Sequence, residues 1–140
     1  MLRGLASSYR LPGDLDLAHV AEEIEAVGNE RRFATESHLL QALTHLIKLP
    51  ALPEDDAAWH WAKESRAVLL NARRRYRPSM RRAIDLAGLW TDARRLALAD
   101  LADDGHAAPS LPADCPFILD DLLAEASEPR PLAARLDPRG

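Results

Sequence analysis

The chain has one cysteine, Cys115, so it cannot close an intramolecular disulfide. A bridge-stapled scaffold is excluded, and a reducing cytoplasm is the expected home. Aromatic residues make up only 5% of the sequence. They form no glycine-flanked array of the kind that stacks nucleobases. β-Branched residues are also few, and no stretch alternates apolar and polar residues as a strand does. No apolar run approaches the roughly 20 residues that a membrane helix needs. Met1 to Arg10 lacks the apolar core of a secretory signal, so no membrane association is expected. Lysine is nearly absent, at Lys48 and Lys63 alone, and the remaining basic charge is arginine.

What the chain has instead is alanine and leucine, the strongest helix formers. With 140 residues, 47% of them hydrophobic, it is long enough for one domain with its own core. The expected fold is all-α, an up-down bundle of about four long helices plus a short C-terminal helix. The stretch from Leu39 to Leu49 organises it. Leu39, Leu40, Leu43, Leu46 and Ile47 make one stripe at helical spacing. Ala34, His38, Ala42, His45 and Leu49 lie on the other side and tolerate contact, which predicts a helix buried on both faces.

Around it the pattern predicts a helix over 16–27, with Leu17, Val20, Ala21, Ile24 and Val27 buried and Gly28-Asn29 as its stop. Asp14 or Asp16 would cap its start. The central helix follows over 30–49, ended by Pro50 and Pro53. A third is expected over 54–76, with a stripe of Trp59, Ala62, Leu69, Leu70 and Tyr76. A fourth, over 80–103, would be capped by Ser79 and would bury Ile84, Ala87, Thr91 and Leu98. A fifth is expected over 117–126. Residues 1–126 then form the domain, and 127–140, with Pro129, Pro131 and Pro138, form a mobile tail.

The formal net charge of −4 hides a segregation. Asp14 to Glu30 is acidic, Arg66 to Arg95 basic, and Asp100 to Glu128 acidic again. Such blocks attract an outside polyanion or pair with each other. Arg66 and Arg73 fall inside an apolar stripe. Buried ion pairs are therefore expected from Glu23 or Glu25 to Arg66 or Arg73, with the arginine stems laid on the core.

Several short motifs, in order, resemble those of the bacterial domain-of-unknown-function family twenty-nine. Asp16 to Glu25, with Ala21-Glu22-Glu23-Ile24-Glu25, is similar to its "LD…LAEEIE" signature, and His45-Leu46-Ile47-Lys48 to its "HLLK". Trp59, Arg66 and Pro78-Ser79-Met80 match its tryptophan, arginine and "PSL" elements. Trp90-Thr91-Asp92-Ala93 matches an aromatic-x-x-Ala, and Cys115-Pro116-Phe117 matches its "CPF". The likeness covers about residues 1–125. It departs at the start, where the family carries a further segment with a Tyr-x-x-Asp pattern and a tryptophan. The resemblance implies a prokaryotic helical bundle and no particular activity.

Three functions are weighed. The first is a non-catalytic module that binds a protein partner or itself, since several helices carry apolar residues on two sides. The second is a nucleic-acid accessory protein, with Arg73, Arg74, Arg75, Arg77, Arg81 and Arg82 on phosphates. The third is a metalloprotein holding an ion on Glu22, Glu25, His38 and His45, although no Glu-x-x-His step is present. Cys115 and Ser79 lie near helix starts but read as a packed thiol and a cap, so no catalytic residue and no cofactor is assigned. The reading leans away from an enzyme.

Overall fold

The computed structural model describes residues 13–52 and 56–136, with side chains from Leu17 onward in the first stretch and from Ala57 in the second. The expected turn before Gly13, the Asp14 or Asp16 cap, and the Pro53-Glu54-Asp55 helix start lie outside the described residues. Every regular element described is helical, and among the described residues there is no strand. Three helices are long: α1 (Gly13–Lys48), α2 (Asp56–Arg75) and α3 (Leu86–Asp103). Two are short: α4 (Leu119–Leu123) and α5 (Pro129–Ala134). The all-α class holds, with three long helices where four were expected. None of the described helices is long and apolar enough to cross a membrane.

The difference in number comes from Gly28. It does not end a helix; α1 runs through it for 36 residues. A left-handed stop needs a positive φ, and among described glycines only Gly105 has one, at 79°. Asn29, Glu30, Arg31 and Arg32 all accept helical geometry, and no proline follows. One glycine costs a helix interior about 1 kcal/mol, too little to break so long a run. The chain still divides into two compact units, residues 1–31 and 32–140, with the boundary inside α1.

The second unit contains the core. Leu39, Ala42, Leu43, Leu46 and Ile47 of α1 have no solvent exposure at all. On the other side Ala34, His38 and His45 are half-buried, and Leu49, in the 3-10 turn that follows, is buried, so both sides named by the pattern make contact. Each large apolar side chain buried there contributes roughly 1.5–3 kcal/mol. In α2 the buried face is Ala58, Ala62, Ser65, Val68, Leu69 and Ala72. That stripe is turned relative to expectation: Trp59 is 62% exposed and Leu70 41%. The physical reason is size. Small residues at 58, 62, 65 and 72 let α2 lie close to the core, and the larger Trp59 stays outside under the Arg130 guanidinium, 5.3 Å from its ring centre.

Between α2 and α3 a 3-10 turn at Pro78–Met80 buries Met80. Ser79 is exposed in that turn and caps nothing, which corrects its expected role. Helix α3 begins six residues later, where the Asp85 carboxylate accepts the Gly88 N–H at 3.0 Å. Its buried face is Trp90, Ala93, Ala97 and Leu101, and Thr91 is exposed. Trp90 is 1% exposed, donates from Nε1 to the Pro112 carbonyl at 3.3 Å, and meets the Phe117 ring edge-on at 6.4 Å.

The C-terminal stretch is not a loose tail. Pro129, at the first position of α5, is buried, and Leu132, Ala133 and Leu136 join the core. α5 contacts α2 and the turn at Leu49–Ala51, and α4 contacts α2. The prolines start this helix rather than dissolve it. Pro138 lies outside the described residues.

Candidate interaction surface

The amino-terminal unit shows what the bundle core does not: apolar side chains facing solvent in a row. Leu17 is 70% exposed, Val20 50%, Ile24 67% and Val27 49%. These are the residues whose 3.6-residue spacing predicts a buried stripe. The stripe forms as a helical face, but among the described residues it is uncovered. Val20, Glu23, Ile24, Val27, Gly28 and Arg31 line a shallow groove of about 420 Å³ along it. Gly28 is one of them, and a Cβ there would meet nothing within 4 Å. Glu22, Glu23 and Glu25 are all exposed.

Arg66 and Arg73, expected on sequence to pair with Glu23 or Glu25, have bonding partners within the larger unit. Arg66 grips Glu128 through three bonds, from Nε to both carboxylate oxygens at 3.2 Å and from Nη2 to Oε1 at 3.1 Å. Arg73 donates to the Ala124 carbonyl at 3.4 Å, and Arg81 pairs with Asp120 at 2.6 Å. Asp120 beside it raises the Arg81 pKa further above its already high value. Opposite charge is thus matched between the basic block and the second acidic block, both inside the larger unit. Arg66 and Glu128 are about half exposed, so their pair is a solvated one.

Sequence reasoning missed Arg135, because it lay in the stretch read as a tail. It donates to the Pro116 carbonyl at 2.8 Å, pairs with Asp121 at 3.2 Å and sits 5.0 Å over the Phe117 ring. The Asp121 carboxylate in turn accepts the Ile118 N–H at 2.9 Å, closing the start of α4. The Cys115-Pro116-Phe117 segment is therefore held by Arg135, at the carboxyl end of α5.

Of the six clustered arginines, three are committed within the chain. Besides Arg73 and Arg81, Arg77 donates to the carbonyls of Tyr76 at 2.9 Å and Arg74 at 3.2 Å. Arg74, Arg75 and Arg82 remain exposed. Arg77 and Arg81 are exposed as well, their bonds notwithstanding.

The histidines serve the core edge. The His45 ring meets Trp61 edge-on at 4.8 Å, and the Lys48 ammonium lies 4.5 Å from the centre of a Trp61 ring. The Lys48 ammonium bonds Asp100 at 3.1 Å with only 9% of its side chain exposed. A buried lysine needs such a partner, and its only sequence signal is that it ends the core stripe. Burial, then the neighbouring Lys48, hold the His45 pKa below its ordinary value; Glu64 and Asp100 pull the other way and His60 adds to the lowering. Burial and Arg75 lower that of His38. His38 and His45 stand two turns apart on one helix, and Glu22 and Glu25 belong to the other unit. Among the described residues no three His, Cys, Asp or Glu groups are gathered to hold an ion. Burial pushes the Cys115 thiol up, away from nucleophilic use, and its S–H donates to the Phe117 carbonyl at 3.4 Å.

Lowered histidine pKa values give a signed prediction. The unfolded chain takes up protons near pH 6.5, the folded chain only at lower pH. The histidine contribution to stability is therefore complete above pH 6.5 and lost as pH falls through the folded values. Urea midpoints measured from pH 7.5 to 5 are expected to fall, and to fall less in His45→Gln. An equal fall in both proteins would remove His45 from the effect.

The family described as Domain of unknown function DUF29 matches residues 9–126. A crystal structure of an α-helical protein of unknown function from Rhodospirillum rubrum is similar, with 30% identity and a TM-score of 0.81. The likeness covers 91% of this chain and 82% of that one. No curated protein matches.

Proposed function

The chain belongs to the DUF29 family, and from that premise we propose that it is a non-catalytic association module, bacterial and cytoplasmic, that docks through the apolar stripe of its amino-terminal unit. The observation that carries this reading is the exposure of Leu17, Val20, Ile24 and Val27 on one helix face. Solvent-facing apolar side chains in a continuous row favour a protein partner. A helix of this kind buries its stripe in a groove or against another helix, read at i, i+3, i+4 and i+7. The rest of the molecule supports a scaffold role. Arg66 and Arg81 pair with acids of the same unit, burial raises the Cys115 pKa, and His45 and His60 pack on Trp61.

The test is capture of binding partners from the host by the untagged chain, with mass spectrometry, comparing wild type with Ile24→Glu and with Leu96→Glu. Leu96 is 46% exposed on α3 and serves as a control for adding a surface carboxylate. The reading expects a set of partners, its own chain among the permitted ones, that Ile24→Glu loses and Leu96→Glu keeps. A set unaffected by Ile24→Glu would overturn it.

A further inference from the structure

Resting on that reading of the stripe, we infer that its occupant is a basic amphipathic helix of a different protein, lying along α1 as in a short coiled coil. Leu17, Val20, Ile24 and Val27 are spaced by three, four and three residues, the alternation of core positions in a heptad repeat. All four are exposed. The run from Leu17 to Gly28 is about 17 Å long, enough to seat roughly three turns of a partner helix.

That register fixes which residues stand beside the seam. Glu23 and Glu30 fall on one flank, seven positions apart, and both are exposed. Asp16 precedes them by the same step in the sequence. Ala21 and Gly28 fall on the other flank. In paired helices these flanking positions set partner choice and orientation. Here one flank is acidic and the other small and uncharged. From Asp14 to Glu30 there are six acids and no lysine or arginine, and Arg31 and Arg32 come after the last apolar residue of the row.

A second copy of the chain fits poorly. A parallel copy sets Glu23 beside Gly28 of its neighbour, which offers nothing to pair with. An antiparallel copy that covers the row lays Leu17 on Val27 and Val20 on Ile24, and it brings the two Glu23 side chains together, like charge on like. Nucleic acid or an anionic membrane meets the same repulsion. A helix with an apolar seam and lysines or arginines beside it buries the row and neutralises Glu23 and Glu30 together. Ala21 and Gly28 leave room on the second flank for the aliphatic stems of such residues.

The experiment is isothermal titration calorimetry of the full chain with two synthetic helices of about three heptads. Both carry leucine on the seam; one has lysine on its flanks, the other glutamate. Wild type is expected to bind the lysine helix, less tightly at high salt, and the glutamate helix about 10-fold more weakly. Glu23→Lys combined with Glu30→Lys is expected to reverse that preference. Ile24→Gln is expected to weaken binding of the lysine helix by about 100-fold, since it sets an amide in an apolar seam. All three positions are exposed, so circular dichroism is expected to match wild type.

Reversal by the charge exchange, together with dependence on Ile24, supports the inference. Equal binding of the two helices by wild type overturns it, because the charges then choose nothing. Lysine-helix binding that is absent, indifferent to Ile24 or unchanged by the charge exchange overturns it as well. Ile24-dependent association of the free chain with itself, read by sedimentation equilibrium, overturns it in favour of a second copy. In each of these cases, host capture that still depends on Ile24 leaves the stripe a docking surface with another occupant. Capture independent of Ile24 removes the underlying reading instead.

Discussion

Trp90→Ala is expected to lower the stability of the larger unit by about 3–5 kcal/mol, read as a large drop in urea midpoint and in Tm. The side chain is 1% exposed and is the largest among the fully buried ones. Its neighbours in α3 are Ala93 and Ala97, too small to fill the space left behind. The Pro112 carbonyl loses its donor and the Phe117 ring its edge contact, so the cavity adds to an unpaired polar group. Trp59→Ala is the control. That indole is 62% exposed, and its loss is expected to cost no more than about 1 kcal/mol, chiefly its contact with Arg130. Similar losses from the two tryptophans would show that α3 does not face the core as described.

Removing residues 128–140 is expected to be nearly as damaging. Leu132 and Leu136 are 7% and 3% exposed, and burying such side chains contributes roughly 1.5–3 kcal/mol apiece. The cut also removes Glu128 from Arg66 and Arg135 from Pro116, Asp121 and Phe117. Against a typical total of about 5–15 kcal/mol, that is a large share. Arg66→Ala alone is expected to cost less than about 1 kcal/mol, because its partner is half exposed. A truncated chain that melts like the full one would mean that α5 rests on the surface without contributing to the core.

The sequence reveals the central half of α1 clearly, because Leu39, Leu43, Leu46 and Ile47 repeat at helical spacing and Ala42 and Leu49 occupy the far side. It reveals the all-helical class for the same reason. It misleads at Gly28, where a stop signal is outweighed by the helix formers on both sides. It misleads at α2 and α3, where large side chains suggest the wrong face: Trp59, Leu70 and Thr91 look inward by pattern, whereas alanines at 58, 62, 93 and 97 permit the close approach that decides the packing. The spacing Trp90, Ala93, Ala97, Leu101 was available as a signal. The tail misleads because three prolines read as breakers, although Pro129 occupies the helix position that tolerates proline best. The stripe at 17–27 is the instructive case. Its period is helical and its residues are apolar, but periodicity reports a face that seeks cover, and it does not say whether the cover comes from the same chain.

That distinction is measured most directly by amide hydrogen exchange in dilute solution, residue by residue along α1. Amides from Leu39 to Ile47 are expected to exchange only through global unfolding. Those from Val20 to Gly28 are expected to exchange orders of magnitude faster, as in an uncovered helix of marginal stability. Equal, slow exchange in both halves would contradict an open face at Leu17, Val20, Ile24 and Val27.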